Sequence, residues 1–115
     1  MPISSTYEVM CANVKFKLEP YDVCMICPGI VHSMGTENEG ERIIFQIEPS
    51  KLRQLKGIDY ILTEYSPAII VNKDTPDEIH KRIIDILLDI KSEYFSSEPY
   101  SDISIFSRFL ELLVL

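Results

Sequence analysis

The sequence predicts an α+β chain, strands first and helices last, and three observations carry that reading. Residues 1–73 hold short apolar runs that alternate with polar residues or are rich in β-branched side chains. Residues 74–115 carry apolar positions at helical spacing. Turn residues separate the runs at short intervals, and the order of the elements is that of an α+β arrangement. At 115 residues, 46% hydrophobic and 25% charged, the chain can bury one core and reads as a single domain overall.

Tyr7, Val9 and Cys11 alternate with Glu8 and Met10, and Phe16 and Leu18 alternate with Lys15, Lys17 and Glu19, which predicts two strands around Ala12-Asn13. Glu19-Pro20-Tyr21-Asp22 is a turn, because proline presets φ and aspartate bonds nearby backbone. Val23 to Cys27 is the next strand. Pro28-Gly29 then turns the chain sharply and aims His32 from a defined place, since proline fixes φ and glycine reaches angles that a Cβ disfavours. A polar bend from Gly35 to Gly40 leads into a further strand, Ile43 to Ile47, and the strands are expected to lie as a meander, each beside the last.

Pro49 opens a short helix near 49–56 that ends at Gly57. Ile58 to Tyr65 fits neither period cleanly. Ser66-Pro67 breaks it, and Ala68-Ile69-Ile70-Val71 is a last strand. Thr75-Pro76-Asp77-Glu78 predicts a helix start, with Thr75 as cap, Pro76 first in the helix and Glu78 completing a capping box. Ile79, Ile83, Ile86, Leu87, Ile90 and Tyr94 follow the helical period, and Ile84, Leu88 and Phe95 form a second stripe, so this helix is more apolar than one packing surface needs. Ser96 to Pro99 ends it, and Ile103, Phe106, Phe109, Leu110 and Leu113 mark another helix. The last residues, Leu112 to Leu115, are apolar and in mid-helix, which fits a truncated gene or a helix docked on a partner.

Eleven Lys and Arg against eighteen Asp and Glu leave −7, with no basic face, so direct nucleic-acid binding is not expected. No apolar run approaches membrane-spanning length, no signal-like segment opens the chain, and Cys11, Cys24 and Cys27 are odd in number; the expectation is a cytoplasmic protein with reduced thiols. Cys24 and Cys27 have C-x-x-C spacing, but on a strand positions three apart face opposite ways, so they read as small buried hydrophobes.

His32 is the first candidate for chemistry, as a hydrogen-bonding or ligand-contacting imidazole; as a metal ligand it is a weak candidate, because a metal needs three or four donors and the other histidine, His80, lies in the long helix. Glu8 is the second, facing either an interior or water. Tyr7, Phe16, Met25, Met34 and Phe45 suit an apolar pocket as well as plain core. No phosphate loop, catalytic triad order or paired carboxylates appear.

The stretch Asp22 to Ser33, with Pro28-Gly29-Ile30-Val31-His32, followed by Arg42 to Ser50, resembles the cupin-type sensor domain that precedes the DNA-binding region in AraC-family transcription regulators. Gly29 and His32 match the second cupin motif, while Tyr21 and Cys27 stand where it has glycine and proline. Glu8 matches the glutamate of the first motif, whose histidine positions fall on Pro2 and Ser4. The resemblance implies a partial cupin jelly-roll β-barrel of about four to six strands over residues 1–73 and two amphipathic dimerisation helices over 74–115. It implies no cofactor, and a small effector, such as a sugar, bound by His32, Glu8, Phe16, Met25 and Phe45. A homodimer would form through Ile86, Ile90, Phe106, Leu110 and Leu113. Family members carry strands before Tyr7 and a helix-turn-helix pair after Leu115, so a partner chain is expected to cover open sheet edges. The alternatives are a stand-alone cupin enzyme, an isomerase or metal-dependent dioxygenase using His32 and Glu8, and a remnant that only associates with other subunits.

Overall fold

The alternation of Tyr7, Val9 and Cys11 with Glu8 and Met10 gives one wet and one dry face, and in the computed structural model, which describes residues 1–35, 39–47, 55–96 and 98–114, that strand lies at the centre of a sheet. The described residues form an α+β fold of five antiparallel strands in two sheets and three helices. The strands are β1 (Tyr7–Cys11), β2 (Val14–Leu18), β3 (Val23–Ile26), β4 (His32–Gly35) and β5 (Ala68–Val71), and the helices are α1 (Ile58–Tyr65), α2 (Asp77–Tyr94) and α3 (Ser101–Leu113). The chain divides into two compact units, Met1–Asn72 and Lys73–Leu115.

In the first unit β1 pairs with β2 and β4 on either side, and β3 pairs with β5 in a second sheet. The β1–β2 hairpin turns on Ala12 and Asn13, both at positive φ (50° and 65°), the arrangement whose twist matches that of the strands it joins. The expected meander stops there. Cys27 to Ile30 is closed by a hydrogen bond from Ile30 N–H to Cys27 C=O (3.4 Å), with Gly29 at φ 79°, and this turn sends the chain from β3 in one sheet to β4 in the other.

Tyr7, Val9, Cys11 and Leu18 form the buried core of this unit, and Phe16, Cys24, Ile26, Ile30, Ala68 and Ile70 pack against it. Cross-strand partners share a face, so β1–β2 and β3–β5 meet through the Cys24–Ile70 and Ile26–Ala68 pairs, two apolar faces turned inward.

Ile43–Ile47 does not form a strand: β4 takes the place beside β1, and the segment that follows is held by the N-terminal residues through an isolated antiparallel bridge, Pro2 with Arg42. Ile3 N–H donates to Glu41 C=O and Ile43 N–H to Met1 C=O, both at 2.8 Å. Gly40 lies against this segment so closely that a Cβ there would collide with the Ser4 carbonyl oxygen and Ser5 Oγ. Ile58–Tyr65, which fits neither period cleanly, is helical and begins after Gly57; most of the short helix expected near 49–56 falls outside the described residues. Pro67 follows Tyr65 closely and delivers the chain to β5, as the Ser66-Pro67 signal indicates.

In the second unit α2 begins at Asp77 with Pro76 at the N-cap position, so the helix starts one residue later than expected; Asp77 and Glu78 in the first turn favour the positive end of the dipole. Arg82 bonds Glu111 at 2.9 Å and Arg108 lies 3.8 Å from Asp89, which fixes α2 and α3 as an antiparallel hairpin. Ile83, Ile86, Leu87 and Ile90 are buried at helical spacing. Of the residues expected at a dimer surface, Ile86, Ile90 and Leu113 are at most 3% exposed within the chain itself, and Phe106 and Leu110 are half-buried. The large apolar side chains that stay wet in this unit include Tyr94, Phe95, Tyr100 and Ile103, at the end where the hairpin turns.

Two stability outcomes follow from the first unit. Leu18→Ala, at 2% exposure beside Tyr7, is expected to cost about 3 kcal/mol in urea unfolding, whereas Val14→Ala at the exposed start of the same strand costs under roughly 1 kcal/mol. Ala12→Asn combined with Asn13→Gly puts the residues that best tolerate positive φ at both turn positions and is expected to add about 1 kcal/mol by the same measurement.

Candidate functional site

The two-residue turn at Ala12-Asn13 fixes the hairpin register, and the register decides which polar side chains meet. Glu8 lies opposite Lys17 and Met10 opposite Lys15 on β2, while on β4 their partners are Gly35 and Ser33. All therefore share the face of the sheet turned away from the core. On that face an open depression of about 270 Å³ is lined by Glu8, Met10, Lys15, Ser33, Met34 and Gly35. Glu8 Oε2 and Lys15 Nζ are 3.2 Å apart across its edge, both half-exposed, and Lys17 turns toward Glu19 at 3.9 Å. An exposed pair of this kind contributes roughly 0–1 kcal/mol to stability, so its two charges are cheap to redirect.

The five residues that the sequence nominates for a ligand do not converge. Phe16, opposite Val9, is half-buried on the core face, and Met25 lies on the face of β3 opposite to Cys24 and Ile26. His32 is opposite Cys11 and so on the core-facing side of β4, but it is exposed at the strand's start, with Nδ1 2.9 Å from the Ile30 carbonyl oxygen. As a donor to that carbonyl, Nδ1 leaves Nε2 as the ring's acceptor. Phe45 is 39% exposed in the irregular segment. Glu8 and His32 thus stand on opposite faces of one sheet, and of the five only Glu8 reaches the depression. Among the described residues no group of three or more His, Cys, Asp or Glu side chains is placed to hold a metal.

Lys15, Met10 and Ser33 escaped nomination. The signal for the first two was present: once Ala12-Asn13 is read as a two-residue turn, Met10 and Lys15 are opposite one another and on the polar face. Ser33 depends on the pairing of β4 with β1, which no local pattern announces.

All three cysteines are free. Burial, with the neighbouring Cys11 adding to it, pushes the Cys24 thiol up to about 11, and burial likewise raises Cys27, whose Sγ lies 3.7 Å from the Leu62 carbonyl oxygen. The N-terminal ammonium pulls the Cys24 thiol the other way, but burial outweighs it, and neither thiol is activated as a redox or nucleophilic one. No helix among the described residues is long and apolar enough to cross a membrane. No protein-family model matches this sequence, and no curated protein or solved structure is significantly similar to it.

The thiol environment sets a pH dependence. Cys24 keeps its proton up to about 11 in the folded chain against an ordinary value of 9.0, so the unfolded chain ionises first. Its contribution to stability is full below pH 9 and is lost progressively between 9 and about 11. Alkylation of Cys24 by iodoacetamide at pH 8 is expected to run on the order of 100-fold slower in native protein than in urea, followed by mass spectrometry.

Proposed function

We propose that the chain is a non-enzymatic sensing and dimerisation module, built on a partial cupin barrel of the kind that AraC-family regulators place ahead of their DNA-binding region. The observation that carries this reading is the division of the chain into a β unit with two antiparallel sheets packed through apolar faces, and a unit that is an antiparallel helical hairpin. The order matches the resemblance of Asp22 to Ser33 and Arg42 to Ser50 to that family. In this reading the β unit takes a small polar effector and the hairpin joins two copies, so that occupancy shifts the balance between arrangements of the dimer.

The enzymatic alternative, a small isomerase or dioxygenase of the cupin type, would bring Glu8 and His32 to one reacting centre. Their placement on opposite faces of β1–β4 weighs against it.

With Ile86, Ile90 and Leu113 buried, the dimer contact is assigned to the wet end of the hairpin. Tyr94 and Phe95 meet edge to face at 5.3 Å and are 70% and 75% exposed, and Tyr100 and Ile103 begin the return helix. Sedimentation equilibrium tests this: the chain is expected to dimerise in the micromolar range, and Phe95→Asp or Ile103→Asp to raise the dimer dissociation constant at least roughly tenfold with no change in thermal stability. A chain that stays monomeric at about 100 µM refutes the dimerisation module; a dimer untouched by both substitutions moves its interface elsewhere.

A further inference from the structure

The outer-face depression joins opposite charges, an apolar surface and a hydroxyl within one small volume, and that combination selects a ligand class. Glu8 contributes a carboxylate and Lys15 an ammonium 3.2 Å from it, and Met10 flanks them with Ser33. A net anion would meet Glu8 and a net cation would meet Lys15, so neither gains from both side chains. A molecule that carries one charge of each sign close together gains from both.

We propose that this depression binds a small zwitterion, an α-amino acid whose ammonium lies against Glu8 and whose carboxylate lies against Lys15. The two charged groups of an α-amino acid are joined through a single carbon and stand roughly 3 Å apart, which matches the side-by-side spacing of Glu8 and Lys15. The four charges then alternate in sign around a closed square. Ser33 can hydrogen-bond the ligand carboxylate, and the soft, adaptable side chain of Met10 accepts an aliphatic side chain. At about 270 Å³ the space lies below the usual range for drug-sized ligands and suits a molecule of this size. Because the site is open and the pair is screened by solvent, affinity is expected in the millimolar range. The proposal rests on the sensing reading above and names the effector class and its seat.

Titration of the 15N-labelled full chain tests it, with L-leucine as the probe and D-glucose, acetate and methylamine alongside. L-Leucine is expected to shift the amides of Glu8, Met10, Ser33 and Gly35 and to saturate at roughly a few millimolar. Glu8→Ala and Lys15→Ala are each expected to weaken it at least about tenfold, and the exchanged pair, Glu8→Lys with Lys15→Glu, to recover part of the loss; both side chains are half-exposed, so the fold tolerates these changes. Acetate or methylamine binding as well as L-leucine overturns the proposal, as do shifts that map away from β1 and β4. If D-glucose moves these amides and L-leucine does not, the zwitterion is wrong while the sensing reading stands. If no compound moves any amide, the site itself is wrong, and the dimer measurement above still decides the function separately.

Discussion

Everything in the β unit depends on the pairing of β1 on both sides. A strand flanked by β2 and β4 has its backbone donors and acceptors satisfied within the sheet, which lets Val9 and Cys11 sit at 2% and 1% exposure without stranding a polar group. Their burial, together with Tyr7 and Leu18, supplies the apolar surface against which the second sheet closes. The same pleat turns Glu8 and Met10 to the other side. Core and candidate site are therefore two consequences of a single register, and a slip by one residue would exchange them.

The corner at Pro28-Gly29 is the second constraint. It does not return the chain beside β3, as a hairpin would, but carries it across to the edge of the first sheet. His32 consequently opens an edge strand instead of facing a β3 neighbour, and Ile43–Ile47 is left without a sheet to join. The N-terminal residues take that segment up through the Pro2–Arg42 bridge, and Gly40 lies where a Cβ would run into Ser4 and Ser5.

Local chemistry was legible in the sequence, and long-range pairing was not. The turn at Ala12-Asn13, the corner at Pro28-Gly29, the break at Ser66-Pro67 and both long helices were written in residue types whose backbone preferences are strong. The α1 helix was obscured because Ile58, Ile61 and Leu62 suit a strand as well as a helix over so short a run, and nothing local arbitrates between the two. The candidate site was half legible: Glu8 stood out, and Lys15 followed from the hairpin, but Ser33 and the separation of His32 from Glu8 came only with the choice of β4 as the partner of β1. Ile86, Ile90 and Leu113 are apolar at the right spacing, yet periodicity alone does not say whether such a face is spent inside the chain or kept for another.

The pairing of β3 with β5 bears on how the protein is made. Roughly 40 residues separate Ile26 from Ala68, and at ribosomal speeds of 5–20 residues per second the second strand follows the first by about 2–8 s. Through that interval Val23-Cys24-Met25-Ile26 is an apolar strand with bare edges, the kind of segment that pairs with whatever extended chain is nearest. On a crowded polysome the nearest candidates are neighbouring copies at the same stage of synthesis. The time before β5 emerges is therefore the interval in which β3 is most open to mispairing.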